Sequence, residues 1–111
     1  MTPHDLQFME VRLDVTLPAF YKTAALDGRL GKLLNADATS VTAITRAFRA
    51  GEFGDESWPH HFFAFADNGC GDHFCLDLSK SGMAVLCRDH ETLEVNHEAD
   101  DFDTWLKEYK P

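Results

Sequence analysis

Cysteine is scarce in this chain: Cys70, Cys75 and Cys87 are the three present, an odd count without framework spacing. Stability stapled by disulfides, as in small secreted scaffolds, is therefore not expected, and the thiols suit a reducing compartment. Basic residues are also few, 10 Lys and Arg against 19 Asp and Glu, which leaves a formal net charge of −9. A phosphate-gripping domain needs a basic face, so the balance argues against nucleic acid as a partner. It favours a basic protein partner, whose encounter long-range attraction would accelerate more than it would tighten the final complex. The same acidity also serves plain solubility. No stretch of about 18 apolar residues exists to cross a bilayer. Asp5, Glu10 and Asp14 interrupt any basic-then-apolar leader pattern. The expected address is the cytoplasm, with no membrane partner.

What is present is one domain's worth of chain. The 111 residues, 44% of them hydrophobic, suffice for one core, so residues 1–111 are expected to form a single domain. Its organising stretch runs from Trp58 to Leu78. Phe62 to Phe65 is dense in strand formers, and Phe74, Leu76 and Leu78 alternate with His73, Cys75 and Asp77. Between them, Ala66 to Asp72 holds Gly69 and Gly71, which supply positive φ, with Asp67, Asn68 and Asp72 able to bond local backbone. The pattern predicts a hairpin. Turn chemistry alone accounts for these loop residues. Ser79 to Gly82 then reads as a second turn, Ala84 to Arg88 as a third strand and Leu93 to His97 as a fourth, giving an antiparallel meander.

Helices flank the strands. Thr2-Pro3 with Asp5 is a helix start, and Leu6, Met9 and Leu13 share a face up to about Asp14. Thr16-Leu17-Pro18 repeats the device, with Thr16 as cap and Leu17, Phe20, Tyr21 and Ala24 as an apolar stripe that stops at Gly28. At this spacing Tyr21 is a core residue rather than a catalytic one. Leu33-Leu34 fits a short strand. Ser40 or Thr42 caps a third helix with Ile44, Ala47 and Phe48, ending near Gly51. Asp100 opens a last helix whose Phe102, Trp105, Leu106 and Tyr109 repeat the stripe, with aspartates at its positive end and Lys107 and Lys110 near its negative end.

Two chemical constellations compete with these structural roles. Cys70, His73, Cys75 and Cys87 supply soft donors, but no second half stands at zinc-site spacing, and strand alternation separates Cys70 from the other two neighbours. A hydrolase would pair one of the cysteines with a histidine, or Asp72 with Asp77, yet no nucleophile elbow is present. Gly69-x-Gly71 leads into a strand, unlike a phosphate loop, which opens a helix. No metal, cofactor or catalytic residue is expected.

The order of landmarks resembles the SUKH superfamily, which includes fungal cell-wall assembly regulators and many bacterial immunity proteins. The resemblance is carried by Glu10 ahead of Leu17-Pro18, Phe20-Tyr21-Lys22 and Asp27-Gly28. It continues through Trp58-Pro59, then Phe65-Ala66-Asp67-Asn68-Gly69 with Gly71-Asp72, the strand reaching Leu76-Asp77-Leu78, and the late helix with Phe102 and Trp105-Leu106. Asp27-Gly28 stands where the family usually shows Asn-Gly, and residues 31–53 match least. The resemblance implies a SUKH-like α+β fold, an antiparallel or mixed sheet of four to six strands with helices packed on one side. It further implies a non-enzymatic domain that binds a protein, in bacterial members a toxin such as a nuclease or deaminase, or else a regulatory scaffold with no toxin partner. Candidate contacts are carboxylates in the loops and near the strand ends: Asp55, Glu56, Asp67, Asp72, Asp89 and Glu91, each also explicable as a solvated turn residue.

Overall fold

The computed structural model describes residues 1–111. In chain order the elements are α1 (Pro3–Leu13), α2 (Ala19–Leu26), α3 (Ala38–Arg49), β1 (Phe62–Asp67), β2 (His73–Asp77), β3 (Val85–Arg88), β4 (Val95–Ala99) and α4 (Phe102–Glu108). The four strands form an antiparallel meander in the order β1-β2-β3-β4, and the fold is α+β. No helix is long and apolar enough to cross a membrane.

Local chemistry sets most boundaries. At α1 the Asp5 N–H donates to Thr2 Oγ1 (3.1 Å) while the Thr2 N–H donates to Asp5 Oδ2 (2.8 Å), a capping box that fixes the first turn. The start of α2 differs from expectation. Pro18, not Thr16, is its cap residue, and it offers no side-chain bond. The preceding Leu17 N–H instead donates to Glu10 Oε2 (2.7 Å), an oxygen that also lies 3.1 Å from Lys22 Nζ, so one carboxylate of α1 fixes the bend into α2. The cap of α3 is Asp37, which accepts from the Ser40 N–H at 3.2 Å, rather than Ser40 or Thr42. Thr42 and Thr45 both face inward. The fourth strand begins at Val95 rather than Leu93. Asp89 Oδ1 accepts from the N–H groups of Glu91 (2.7 Å) and Thr92 (3.0 Å), which draws residues 89–93 into a turn with Leu93 at φ 65°.

The main core lies on one sheet face. Phe63, Phe65, Phe74, Leu76 and Val85 meet Leu6, Met9 and Leu13 of α1, Tyr21 and Ala24 of α2, and Phe102, Trp105 and Leu106 of α4. The rings interlock in tilted pairs, Tyr21 on Phe63 at 5.1 Å and Trp105 on Phe74 at 4.8 Å between centroids. A bulge between Ala64 and Ala66 lets both Phe65 and Ala66 join this core. The opposite face carries a smaller cluster in which Ala64 and Cys75 pack on Phe48 of α3 and on Trp58.

Because β1 is an edge strand, its outward backbone groups need partners. Two segments supply them. The Ala64 N–H donates to Thr45 Oγ1 (3.1 Å), whose hydroxyl donates back to the Ala64 carbonyl (3.4 Å), so α3 seals the edge. Further along, the Asp67 N–H donates to the Leu34 carbonyl (3.1 Å), and the strand expected at Leu33-Leu34 is this single bridge.

Beneath α3 lies a buried ion pair. Arg88, the last residue of β3, keeps a side chain only 3% exposed, and that of Asp55 is 7% exposed. Nε and Nη2 of Arg88 donate to the two Asp55 oxygens at 2.8 and 2.6 Å. The guanidinium stacks 4.4 Å from the Phe48 ring centroid, and Nη2 reaches the Phe53 carbonyl at 3.4 Å. The expectation that Asp55 is an exposed contact residue is thereby corrected, since its carboxylate serves the interior. Arg88→Met, which strands the Asp55 charge, is expected to lower unfolding free energy by about 3–5 kcal/mol, whereas the double variant Arg88→Met, Asp55→Leu should regain most of it. Urea unfolding of the three proteins checks this. An equal loss in both variants would mean that the stranded charge is not the cause.

Candidate functional site

The β1–β2 and β3–β4 turns emerge side by side at one end of the sheet, because antiparallel pairing sets His73 opposite Arg88. Hydrogen bonds cross between them. Asp72 Oδ1 accepts from the His90 N–H (2.9 Å) and lies 2.6 Å from His90 Nδ1, while Oδ2 accepts from Asn68 Nδ2 at 3.2 Å. Gly71, at φ 99°, makes room for this contact, since a Cβ there would sit 3.1 Å from His90 Cγ. Asp67 Oδ1 accepts from the Gly69 N–H (2.8 Å) and its Oδ2 from Asn35 Nδ2 (2.5 Å).

Hydrogen bonds keep Asp72 and Asp89 ionised. The His90 backbone bond, followed by its side-chain bond, holds Asp72 below the ordinary carboxylate range, and the Thr92 and Glu91 N–H groups do the same for Asp89. Glu91 makes no short contact, and its side chain is 81% exposed. Asp72, Asp89 and His90 bring donor atoms within 4.8 Å of one another, but Asp72, Asp89 and the His90 Nδ1 are already engaged in the turn bonds just described. That grouping is turn architecture. Its chemical capacity is to present fixed negative charge.

Beside Asp67 the surface falls into an open groove of about 360 Å³ between α3 and the end of β1. Ala43, Ile44 and Ala47 form one wall, Phe53 another, and Asp67 and His73 close it. His73 is half-buried and burial pushes its pKa below the ordinary value, so its ring is neutral at pH 7.

The chain matches the SMI1 / KNR4 family (SUKH-1) over residues 1–108. It belongs to that family. The match includes residues 31–53, where the landmarks were thinnest. No curated protein and no solved structure matches the chain significantly.

Within this SUKH-1 domain the six anticipated carboxylates divide. Asp67, Asp72, Asp89 and Glu91 lie on the two adjoining turns. Glu56 is exposed but sits apart, in the loop that faces Leu93 and Val95. Asp55 is inside, as described. The soft donors do not converge: Cys70 is exposed in the turn, Cys75 is buried in the smaller cluster, and Cys87 packs against the main core on the other face. Asp72 and Asp77 flank opposite ends of β2, and Asp77 instead accepts from Ser79. The groove is the feature that sequence reading missed. Its only trace was the spacing of Ser40, Ala43, Ile44 and Ala47, a second stripe on α3 beside the inward one.

Two measurements follow from this geometry. The Asp72 bond raises the His90 pKa above its ordinary 6.5, so the pair supports the folded state fully below that value and loses this support as pH rises through the folded pKa. The low Asp72 pKa adds support above the ordinary 3.8 that fades as pH falls through its own folded value. NMR titration should place His90 above 6.5 and Asp72→Asn should bring it down, and an unchanged His90 would deny the contact. Thiol reactivity should follow burial. Cys70 labels first, Cys87, pushed up to about 11 by burial and nearby carboxylates, lags, and Cys75 reacts only on unfolding.

Proposed function

We propose that this SUKH-1 domain is an immunity protein that binds a cognate toxin domain in the cytoplasm and blocks it without catalysing a reaction. The observation that carries the reading is the pairing of two adjoining turns in which backbone hydrogen bonds fix Asp67, Asp72 and Asp89, with Asp72 and Asp89 held ionised and Glu91 exposed beside them. Carboxylates held in one rotamer forfeit little conformational freedom when a partner arrives, so their charge is spent on recognition. A nuclease or deaminase presents positive potential where it receives phosphates, and an acidic surface competes for that place. The formal charge of −9 extends the attraction beyond the contact itself. Family membership supports the same direction, because the SUKH superfamily includes bacterial immunity proteins alongside cell-wall regulators.

The test is co-expression with any toxin domain encoded beside this gene. Protection of the cell and a stable complex are expected. The variant Asp67→Lys, Glu91→Lys should slow association about tenfold in low salt and less in high salt. Absence of both protection and complex would overturn the immunity reading. Isolation of a stable host complex in its place would instead favour the regulatory scaffold.

A further inference from the structure

We propose that the groove between α3 and the end of β1 receives an apolar side chain of a basic protein partner, set next to a Lys or Arg that reaches the Asp67 turn. This rests on the protein-binding reading and names the anchor that the acidic turns lack. Charge alone speeds encounter and sets orientation, whereas lasting affinity comes from a desolvated anchor seated in a pocket with a polar rim.

The groove has the parts of such a pocket. Ala43, Ile44 and Ala47 give a shallow apolar wall on a helix that is itself bonded to β1 through Thr45, so the wall is rigid. Phe53 stands opposite with 53% of its surface exposed, unusual for an aromatic side chain. It is held in that position. Its ring packs edge-on against Phe48 at 5.6 Å, and its carbonyl accepts from Arg88 Nη2, whose position is locked by Asp55. A volume of about 360 Å³ lies within the range of sites that take a small ligand or one large side chain.

Charge selects the occupant. No Lys or Arg lines the groove, Asp67 forms part of its wall, and at the ring of His73 the charges of Asp67 and Asp72 oppose that of Arg88, which is itself paired with Asp55. An acidic peptide would be repelled there. A second copy of this chain would bring another net charge of −9 against the first, which disfavours self-association through this face. An apolar residue flanked by a cation satisfies both the wall and the rim.

The test is an NMR titration of the full-length, isotope-labelled protein with three short synthetic peptides: alternating Leu and Lys, Lys only, and alternating Leu and Glu. The Leu/Lys peptide is expected to shift the amides of Ala43, Ile44, Ala47, Phe53 and His73 together with Asp67. Phe53→Ser should weaken its binding at least about fivefold. Should that change loosen the loop, Ala43→Gln, on the exposed face of α3, should block the groove and leave the fold intact. Shifts confined to the Asp72 and Asp89 turns, or equal shifts from the Lys-only peptide, would overturn the groove and leave the immunity reading standing. Equal binding of the Leu/Glu peptide, or groove shifts that grow with protein concentration alone, would overturn the choice of a basic partner. Groove binding without toxin protection would remove the immunity reading and keep the groove.

Discussion

The Arg88–Asp55 pair is the constraint on which the turn-bearing end of this molecule depends. A guanidinium that is nearly sealed from water must have its charge answered, and here it is answered on every side: two carboxylate oxygens in the plane, an aromatic face above, a carbonyl at the edge. Satisfying one side chain therefore positions three separate pieces of chain. The end of β3 is fixed to the loop that follows α3, Phe48 is held over the sheet, and the loop is turned so that Phe53 faces outward. Replacing the pair by apolar residues would keep the packing but remove the directional bonds that set this geometry.

The second organising feature is the division of labour between the two sheet faces. One face is devoted to stability, with interlocked rings from β1, β2, α2 and α4 packed on the aliphatic side chains of α1. The other face has only a small cluster around Phe48 and Trp58, so the adjoining surface is free to carry polar turns and the groove. Asp72 and Asp89 are bonded to the backbone of these turns.

What could be read from the sequence was what neighbours in sequence decide. Thr2, Pro3 and Asp5 announce α1 because the capping box lies within four residues, and the stripe from Phe102 to Tyr109 announces α4 for the same kind of reason. Gly69, Gly71 and Asp72 announce the hairpin turn. The misjudged positions were decided at a distance or by competition between nearby donors. Asp55 read as an exposed loop acid, since its partner Arg88 lies 33 residues away. Thr16 is not the cap because Pro18 stays extended and the helix opens only at Ala19, and Asp37 displaced Ser40 by accepting the Ser40 N–H itself. The adjacency of the acidic turns followed from the meander, but the groove needed α3 laid against β1, a placement that no local pattern encodes.

Sealing the β1 edge with Thr45 and Leu34 also limits aggregation. Strands of other molecules have no purchase on that side, which leaves β4 as the sole free margin of the sheet. There Glu98 is an extra residue in the pairing with β3, and Asn96, His97 and Glu98 are exposed, so the margin is both kinked and hydrophilic. The domain is thus poorly suited to seed fibrils even when concentrated.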